Sequence, residues 1–380
     1  MLNDIKVVHV TTVHPRYDTR IFFKECNSLV NNGYRVLLVV ADGLGDDSVG
    51  GIDIKDLGCL SRSRARRFII GSYCVLKFVL KNKIKFIHLH DPELLIVGQL
   101  LKFFGIRVVY DMHENLPKQI LTKSWIQDWI RKPLSKLISA MMRVLLHDVP
   151  VVFAEKSYAQ DYNWVHNYVV VQNFPTLAPT ELESVRKYDV FTVGYIGGVS
   201  RERGVLAVVS AIDEIRRLGY NVNFECLGPI SAEIANNPLF LSSVQDGWVN
   251  APGRVDGPKG WKSIARCHVG VAILSPLPNY IDSWPTKMFE YMAMKLPVLV
   301  SDFPLYRSVV VNNSCGVVVD PGSISAVVEA LILFIEKGDI ASAMGARGQA
   351  LVKENYTWAN ESRKLLKFYE NLLKNKNIES

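Results

Sequence analysis

The chain has 380 residues, 49% of them hydrophobic and 21% charged, which suits two domains of ordinary size and a folded soluble protein. That balance excludes disordered, collagen-like and disulfide-scaffold classes, and no run of 18 uncharged apolar residues marks a transmembrane helix. The net charge of +7 sits wholly in residues 1–175, with 23 Lys and Arg against 16 Asp and Glu, whereas residues 176–380 hold 21 of each; charge focused this way favours nucleic acid, anionic lipid or a phosphorylated substrate.

In chain order, MLNDIKVVHVTT runs directly into a strand pattern. It lacks the basic region and cleavage site of a signal peptide, so a cytoplasmic location is expected. Ile5–Val10 reads as a strand and Arg20–Asn32 as a helix closed by Gly33. Val36–Val40, Phe86–Leu89 and Val108–Tyr110 read as further strands, with a helix over Glu93–Phe104. The periodicity stops around Gln172–Thr180, where a linker is expected. It restarts with strands at Val190–Ile196, Phe224–Leu227, Val269–Leu274, Val298–Ser301 and Gly316–Val319. Helices are predicted at Gly204–Leu218, Thr286–Met294, Ser323–Lys337 and Thr357–Leu373. The pattern implies an α/β protein of two doubly wound, Rossmann-like domains. Their predicted bounds are 1–173 and 174–356, followed by a C-terminal helix segment, 357–380, for which a return to the first domain is one option. Six scattered cysteines (Cys26, Cys59, Cys74, Cys226, Cys267, Cys315) form no C-x-x-C pair and read as small buried apolar residues.

Ligands of open α/β sheets bind beyond the C-terminal ends of the strands, so the loops there carry the candidate sites. No G-x-G-x-x-G follows the first strand, and neither a P-loop nor a G-x-S-x-G elbow occurs. Thr11–Arg20 is a polar run opening a helix, which an N-cap with solvated neighbours would equally explain. His88, His90, Asp91 and Glu93 end one strand, and Asp111, His113 and Glu114 end another. A metal site is one reading, but no ligand spacing is fixed, and a polar crevice with one reactive imidazole fits better. Tyr195–Gly204 joins a strand to a helix through Gly197 and Gly198, with Arg201 and Arg203 following. Glycines there permit close backbone approach, and the helix start offers free N–H groups to an anion; a surface turn is the plainer alternative. Asp282 lies in a loop, with Glu290 eight positions later inside a helix; dipole stabilisation alone would account for the second acid.

Taken together, the runs HPRYDTRIFFKE, HDPELL, YDMHENLP, YIGGVSRERG, PTKMFEYMAMKLPVLVSD and CGVVVDP, in this order, resemble the family 4 retaining glycosyltransferases of GT-B fold, particularly those of bacterial surface polysaccharides. The resemblance implies two Rossmann-like domains facing a central cleft and a nucleotide-sugar donor, UDP- or GDP-linked, held mainly by the second. It implies a hexosyl-type, metal-independent transferase with no further cofactor. The family's acid pair falls on Asp282 and Glu290, with Glu290 on the ribose hydroxyls and Asp282 facing the donor sugar. Asp282 departs from the family's glutamate. Arg203, assisted by Arg201, matches the basic grip on the diphosphate, with Gly197, Gly198, Thr286 and Lys287 among the donor-binding positions. His113 matches a histidine close to the donor sugar, and Val13 and His14 fall where the first loop approaches the diphosphate. The sequence has no D-x-D, and cationic side chains with a helix dipole suffice to stabilise a leaving diphosphate.

The resemblance also implies a glycan or polyprenyl-linked acceptor in bacterial surface-glycan synthesis, covering lipopolysaccharide and capsule. Lys123–His147 sets Trp125, Trp129 and several aliphatic residues against five basic ones, and Ser61–Arg67 reads SRSRARR. An interfacial helix on the anionic cytoplasmic face of the inner membrane explains the pattern, as does a helix packed on its own sheet. Pro133 is expected to break or kink it. A nucleotide-sugar 2-epimerase of the same fold is the alternative activity. Nucleic-acid binding rests on charge alone, so nucleic acid is not expected as a partner.

Overall fold

The computed structural model describes residues 6–58, 64–123, 126–176, 182 and 185–374. Cys59, Ser61–Ser63, Trp125 and 177–180 of the expected linker lie outside the described residues, as do the side chains of Arg64, Arg66 and Arg67. The chain divides into two compact units, Met1–Asn173 with Trp358–Ser380, and Phe174–Thr357.

The first unit is built on eight strands: β1 (Lys6–Val10), β2 (Arg35–Val40), β3 (Asp47–Val49), β4 (Ile52–Asp56), β5 (Phe86–Leu89), β6 (Arg107–Met112), β7 (Val151–Phe153) and β8 (Tyr168–Val170). Their order is β3-β4-β2-β1-β5-β6-β7-β8, parallel throughout except for the β3–β4 pair. Strand order reverses between β1 and β5, the place where such sheets open a ligand crevice. There His9 pairs in register with His88, so their side chains stand on the same face. β2 and β5 are almost wholly buried, as parallel strands covered on both faces must be.

The second unit holds β9 (Phe191–Ile196), β10 (Val222–Leu227), β11 (Val249–Gly253), β12 (Val269–Ala272), β13 (Val298–Ser301) and β14 (Gly316–Val319). The order β11-β10-β9-β12-β13-β14 is parallel at every step, with its switch point between β9 and β12. The helix Trp358–Lys374 belongs to the first unit. Leu365 and Tyr369 are buried there among Val7, Leu38 and Val109, and Trp358 Nε1 donates to Ser28 Oγ at 2.8 Å.

Three local expectations are corrected. The Arg20–Asn32 helix opens as a π-helical stretch, Ile21–Cys26, before α-helix Asn27–Asn31. Asp18 accepts from the N–H groups of Arg20 and Ile21, and the wider turn places Arg20, Lys24 and Glu25 in the interior. Helix Asp128–Leu145 runs through Pro133 unbroken. A proline in its second turn removes one backbone bond, while Met142, Ile138 and Leu145 anchor the later turns on the core. Finally, Cys74 is half-buried, whereas Cys26, Cys226, Cys267 and Cys315 are buried free thiols.

Candidate functional site

In the second unit, β9 ends at Ile196 and a glycine-rich loop leads to helix Val205–Arg217. Gly204 precedes the helix in the left-handed region, φ +72°, where a Cβ would stand 1.8 Å from the Ile273 carbonyl oxygen. At Gly197, φ +142°, a Cβ would stand 2.5 Å from Lys287 Nζ. Glycine is therefore required for the loop to close over the lysine.

Lys287 is the second residue of helix Thr286–Ala293 and only 7% exposed. Its Nζ donates to Tyr195 Oη at 3.0 Å and lies 4.1 Å from the centroid of that ring. Tyr195 Oη in turn donates to the Gly198 carbonyl at 2.6 Å, so lysine, phenol and loop backbone form one chain. Burial first, and then repulsion from Arg203, push the Lys287 ammonium down to about 7, against the pull of Glu290. The Arg203 guanidinium lies 5.5 Å from the Tyr280 ring centroid, and Tyr280 sits on the one-turn helix Pro278–Ile281 that Asp282 closes. Asp282 is exposed, while Thr286 and Glu290 are half-buried on the next helix. The structure thus gathers Gly197, Gly198, Arg203, Lys287 and Glu290 around one loop. Two cations beside a 13-residue helix start favour an anion. Arg201 instead pairs at the surface with Glu233.

In the first unit, the strand ends carry a buried histidine array. His9 Nδ1 and His90 Nε2 are 2.9 Å apart, and His90 Nδ1 and His113 Nε2 are 3.1 Å apart. Tyr369 Oη of the C-terminal helix lies 2.5 Å from His88 Nδ1 and 3.4 Å from His9 Nε2. Burial holds His9, His88 and His90 below the ordinary histidine value, His90 at about 4, so these rings are neutral. Arg20 donates twice to Asp111, each at 2.8 Å, and once to the Val171 carbonyl. Burial opposes the Asp111 charge, yet Arg20 and then His113 hold its carboxyl well below the usual range. Burial first and then the Asp111 charge do the reverse to Glu25, pushing its carboxyl well above that range against the pull of Arg20.

The first loop is tied down by Asp91, which accepts from the hydroxyls of Thr11 and Thr12, each at 3.0 Å. Val13 projects from it exposed. His14 stacks on His113 with ring centroids 5.0 Å apart. Burial opposes its charge, but Asp18 and then Asp91 raise it above the ordinary histidine value. Two groups have the donor types for a metal, namely His9, Glu25, His88 and His90, and His90, Asp111 and His113, with ligand atoms within 4.8 Å of one another. In both, the histidine nitrogens facing one another already bond within the array.

Sequence reasoning placed His88, His90, His113 and Asp111 at strand ends but did not single out His9, Arg20, Glu25, Tyr195 or Tyr369. An ionic side chain set among apolar helix residues, such as Arg20 or Glu25 in RIFFKEC, was the available signal.

Residues 183–351 match the family model described as glycosyl transferases group 1. A capsular polysaccharide biosynthesis glycosyltransferase, CapM of Staphylococcus aureus, is 22% identical over 189 residues, covering 49% of this chain. The match spans about half, 47%, of that curated relative's length. Among solved structures, sucrose-phosphate synthase of Thermosynechococcus elongatus superposes with a TM-score of 0.76 at 14% identity, covering 98% of this chain and 100% of that one. Anabaena Alr3699/HepE, solved in complex with UDP and glucose, gives 0.72 at 12% identity, covering 97% and 100%. At such identities the likeness establishes the fold, which is GT-B, and the matched residues 183–351 fall within the unit that carries the Gly197–Lys287 loop.

Proposed function

We propose that the chain is a retaining, hexosyl-type glycosyltransferase that moves a sugar from a nucleoside diphosphate to a glycan or polyprenyl-linked acceptor in bacterial surface-glycan synthesis. The observation that carries this reading is Lys287, buried beneath the Gly197–Gly198 backbone beside Arg203, at the start of the group 1 domain's helix Val205–Arg217. A buried ammonium whose hydrogen bond goes to a phenol oxygen is costly, and a diphosphate supplies negative charge beside it. In this reading Arg203 and Lys287 hold the diphosphate and stabilise the charge that develops as it leaves. Gly197 and Gly198 let its oxygens reach the backbone, and Thr286 adds a hydroxyl at the helix start. Glu290 accepts the ribose hydroxyls. Asp282 and His113 serve the donor sugar, and Val13 and His14 border the phosphates. The relatives support a sugar donor, since HepE is described with UDP and glucose and CapM with capsular polysaccharide.

No carboxylate nucleophile is assigned, and the transfer needs no metal. Turnover is expected to persist in excess EDTA; its abolition by EDTA and recovery with Mg²⁺ would contradict the cationic account. No helix among the described residues is long and apolar enough to cross a membrane. Helix Asp128–Leu145 nonetheless leaves Trp129, Leu137 and Val144 exposed at 76%, 65% and 71%, which supports a peripheral contact with the cytoplasmic face of the inner membrane. The test of the central reading is isothermal titration with UDP, GDP, dTDP, ADP and CMP. Binding of one nucleoside diphosphate, lost in Arg203→Ala, is expected. Equal indifference to all five would refute it.

A further inference from the structure

Resting on the proposed transfer, we propose that Asp111 is a positioning residue that fixes His113 as the Nε2–H tautomer and leaves its Nδ1 as a hydrogen-bond acceptor for a substrate hydroxyl. His113 Nε2 stands 2.8 Å from Asp111 Oδ2 and 3.1 Å from His90 Nδ1. A bare Nε2 would oppose its lone pair to a carboxylate oxygen at that distance, in a site where water does not screen the clash. The proton therefore stays on Nε2, and in the neutral ring Nδ1 carries none.

The carboxylate is held in this role from behind. Arg20 grips it with two parallel donors and is itself tied to the Val171 carbonyl, so neither its position nor its charge can drift. The buried array beyond His90 backs this contact. His90 reaches His9, and Tyr369 closes the far end against His9 and His88. On the other side His14 stacks on the His113 ring. The ring is clamped on Nε2 and on its face, yet its side chain retains 15% exposure. Among the described residues His113 Nδ1 makes no hydrogen bond within this network, whose short contacts to the ring nitrogens all involve Nε2. An acceptor nitrogen suits a sugar hydroxyl, which can donate to it. It does not suit the phosphate oxygens, which only accept.

The test is long-range ¹H–¹⁵N correlation spectroscopy on the full chain labelled with ¹⁵N-histidine, at a pH where the ring is neutral, with His113→Gln identifying the resonance. The wild-type protein is expected to show a protonated Nε2 and a bare Nδ1. In Asp111→Asn the amide can turn an N–H towards Nε2, so the proton should move to Nδ1. Donor turnover should then fall on the order of 10²-fold with little change in donor KM, because geometry and tautomer, not ground-state binding, are lost. A wild-type His113 protonated on Nδ1 overturns the proposal outright, and that spectrum decides the matter even if the variant fails to fold. An unchanged tautomer in a folded Asp111→Asn overturns it too. If the tautomers behave as stated but no nucleoside diphosphate binds in calorimetry, the orientation of His113 by Asp111 stands and the transferase reading fails.

Discussion

The lysine beneath the glycine loop makes the affinity for a nucleoside diphosphate depend on pH in a defined direction. Without ligand, burial lowers Lys287 from 10.5 to about 7, so at pH 8.5 only about 3% of molecules carry the charge. A bound diphosphate restores the ammonium, and the proton must then come from solvent. Between pH 7 and 8.5 the affinity should fall roughly 15-fold, about 1.6 kcal/mol, with close to one proton taken up per ligand at the upper end. Titration calorimetry of UDP and GDP in buffers of different ionisation heat reads both quantities. Lys287→Met should bind weakly and show neither the slope nor the uptake. The unliganded protein behaves oppositely. Between about 7 and 10.5 the unfolded lysine holds a proton that the folded one has released, so unfolding free energy gains from this group as pH rises through that window. Wild type should therefore gain melting temperature over Lys287→Met across it. An affinity flat from pH 7 to 8.5, without proton uptake, would refute the placement of Lys287 on the diphosphate.

Glu290→Gln should weaken donor binding about 10- to 150-fold, the loss of a charged hydrogen bond worth roughly 1.5–3 kcal/mol, with an unchanged circular dichroism spectrum; undiminished affinity would remove the ribose assignment. Gly204→Ala forces a Cβ to within 1.8 Å of the Ile273 oxygen at φ +72° and adds left-handed strain of about 1–2 kcal/mol. It should lower the melting temperature and abolish anion binding together, and a variant that melts and binds like wild type would show the loop to be free to move. Replacing Trp129, Leu137 and Val144 by Ser should reduce co-sedimentation with anionic vesicles while sparing nucleotide affinity, and equal, negligible binding of both proteins to anionic and neutral vesicles would assign the helix to a soluble acceptor.

Much of the architecture is legible in the sequence because parallel strands covered on both faces are written as short apolar runs. Val36–Val40 and Val298–Ser301 are read almost to the residue. The strands that escape are short or compositionally mixed: Asp47–Val49 is entirely exposed, and Val249–Gly253 contains Pro252 and Gly253, so neither carries a periodic signal. The second-unit site is legible through its glycines, which with Arg201 and Arg203 mark the turn between a strand and a helix as an anion site, although a surface turn would also place glycines there. Its electrostatics are not, because the depressed Lys287 depends on Tyr195 and Arg203 lying about it, and those residues are 92 and 84 positions away in the chain. The histidine array shows the same limit more sharply. His9, His88, His113 and Tyr369 meet only because β1 pairs with β5 and the last helix returns to the first unit. Pro133 misleads because a proline's local cost of one hydrogen bond is outweighed by the packing of Ile138, Met142 and Leu145.

The central claim is retaining transfer from a nucleoside diphosphate sugar, and the most direct measurement is time-resolved ¹H and ³¹P NMR of the wild-type chain with a panel of α-linked UDP- and GDP-hexoses, using water as the default acceptor. The account predicts that one donor is cleaved to the nucleoside diphosphate, that the sugar first appears as the α-anomer before it mutarotates, and that Arg203→Ala abolishes the reaction. Release of the β-anomer first, cleavage to a nucleoside monophosphate, or intact donors throughout the panel would contradict it.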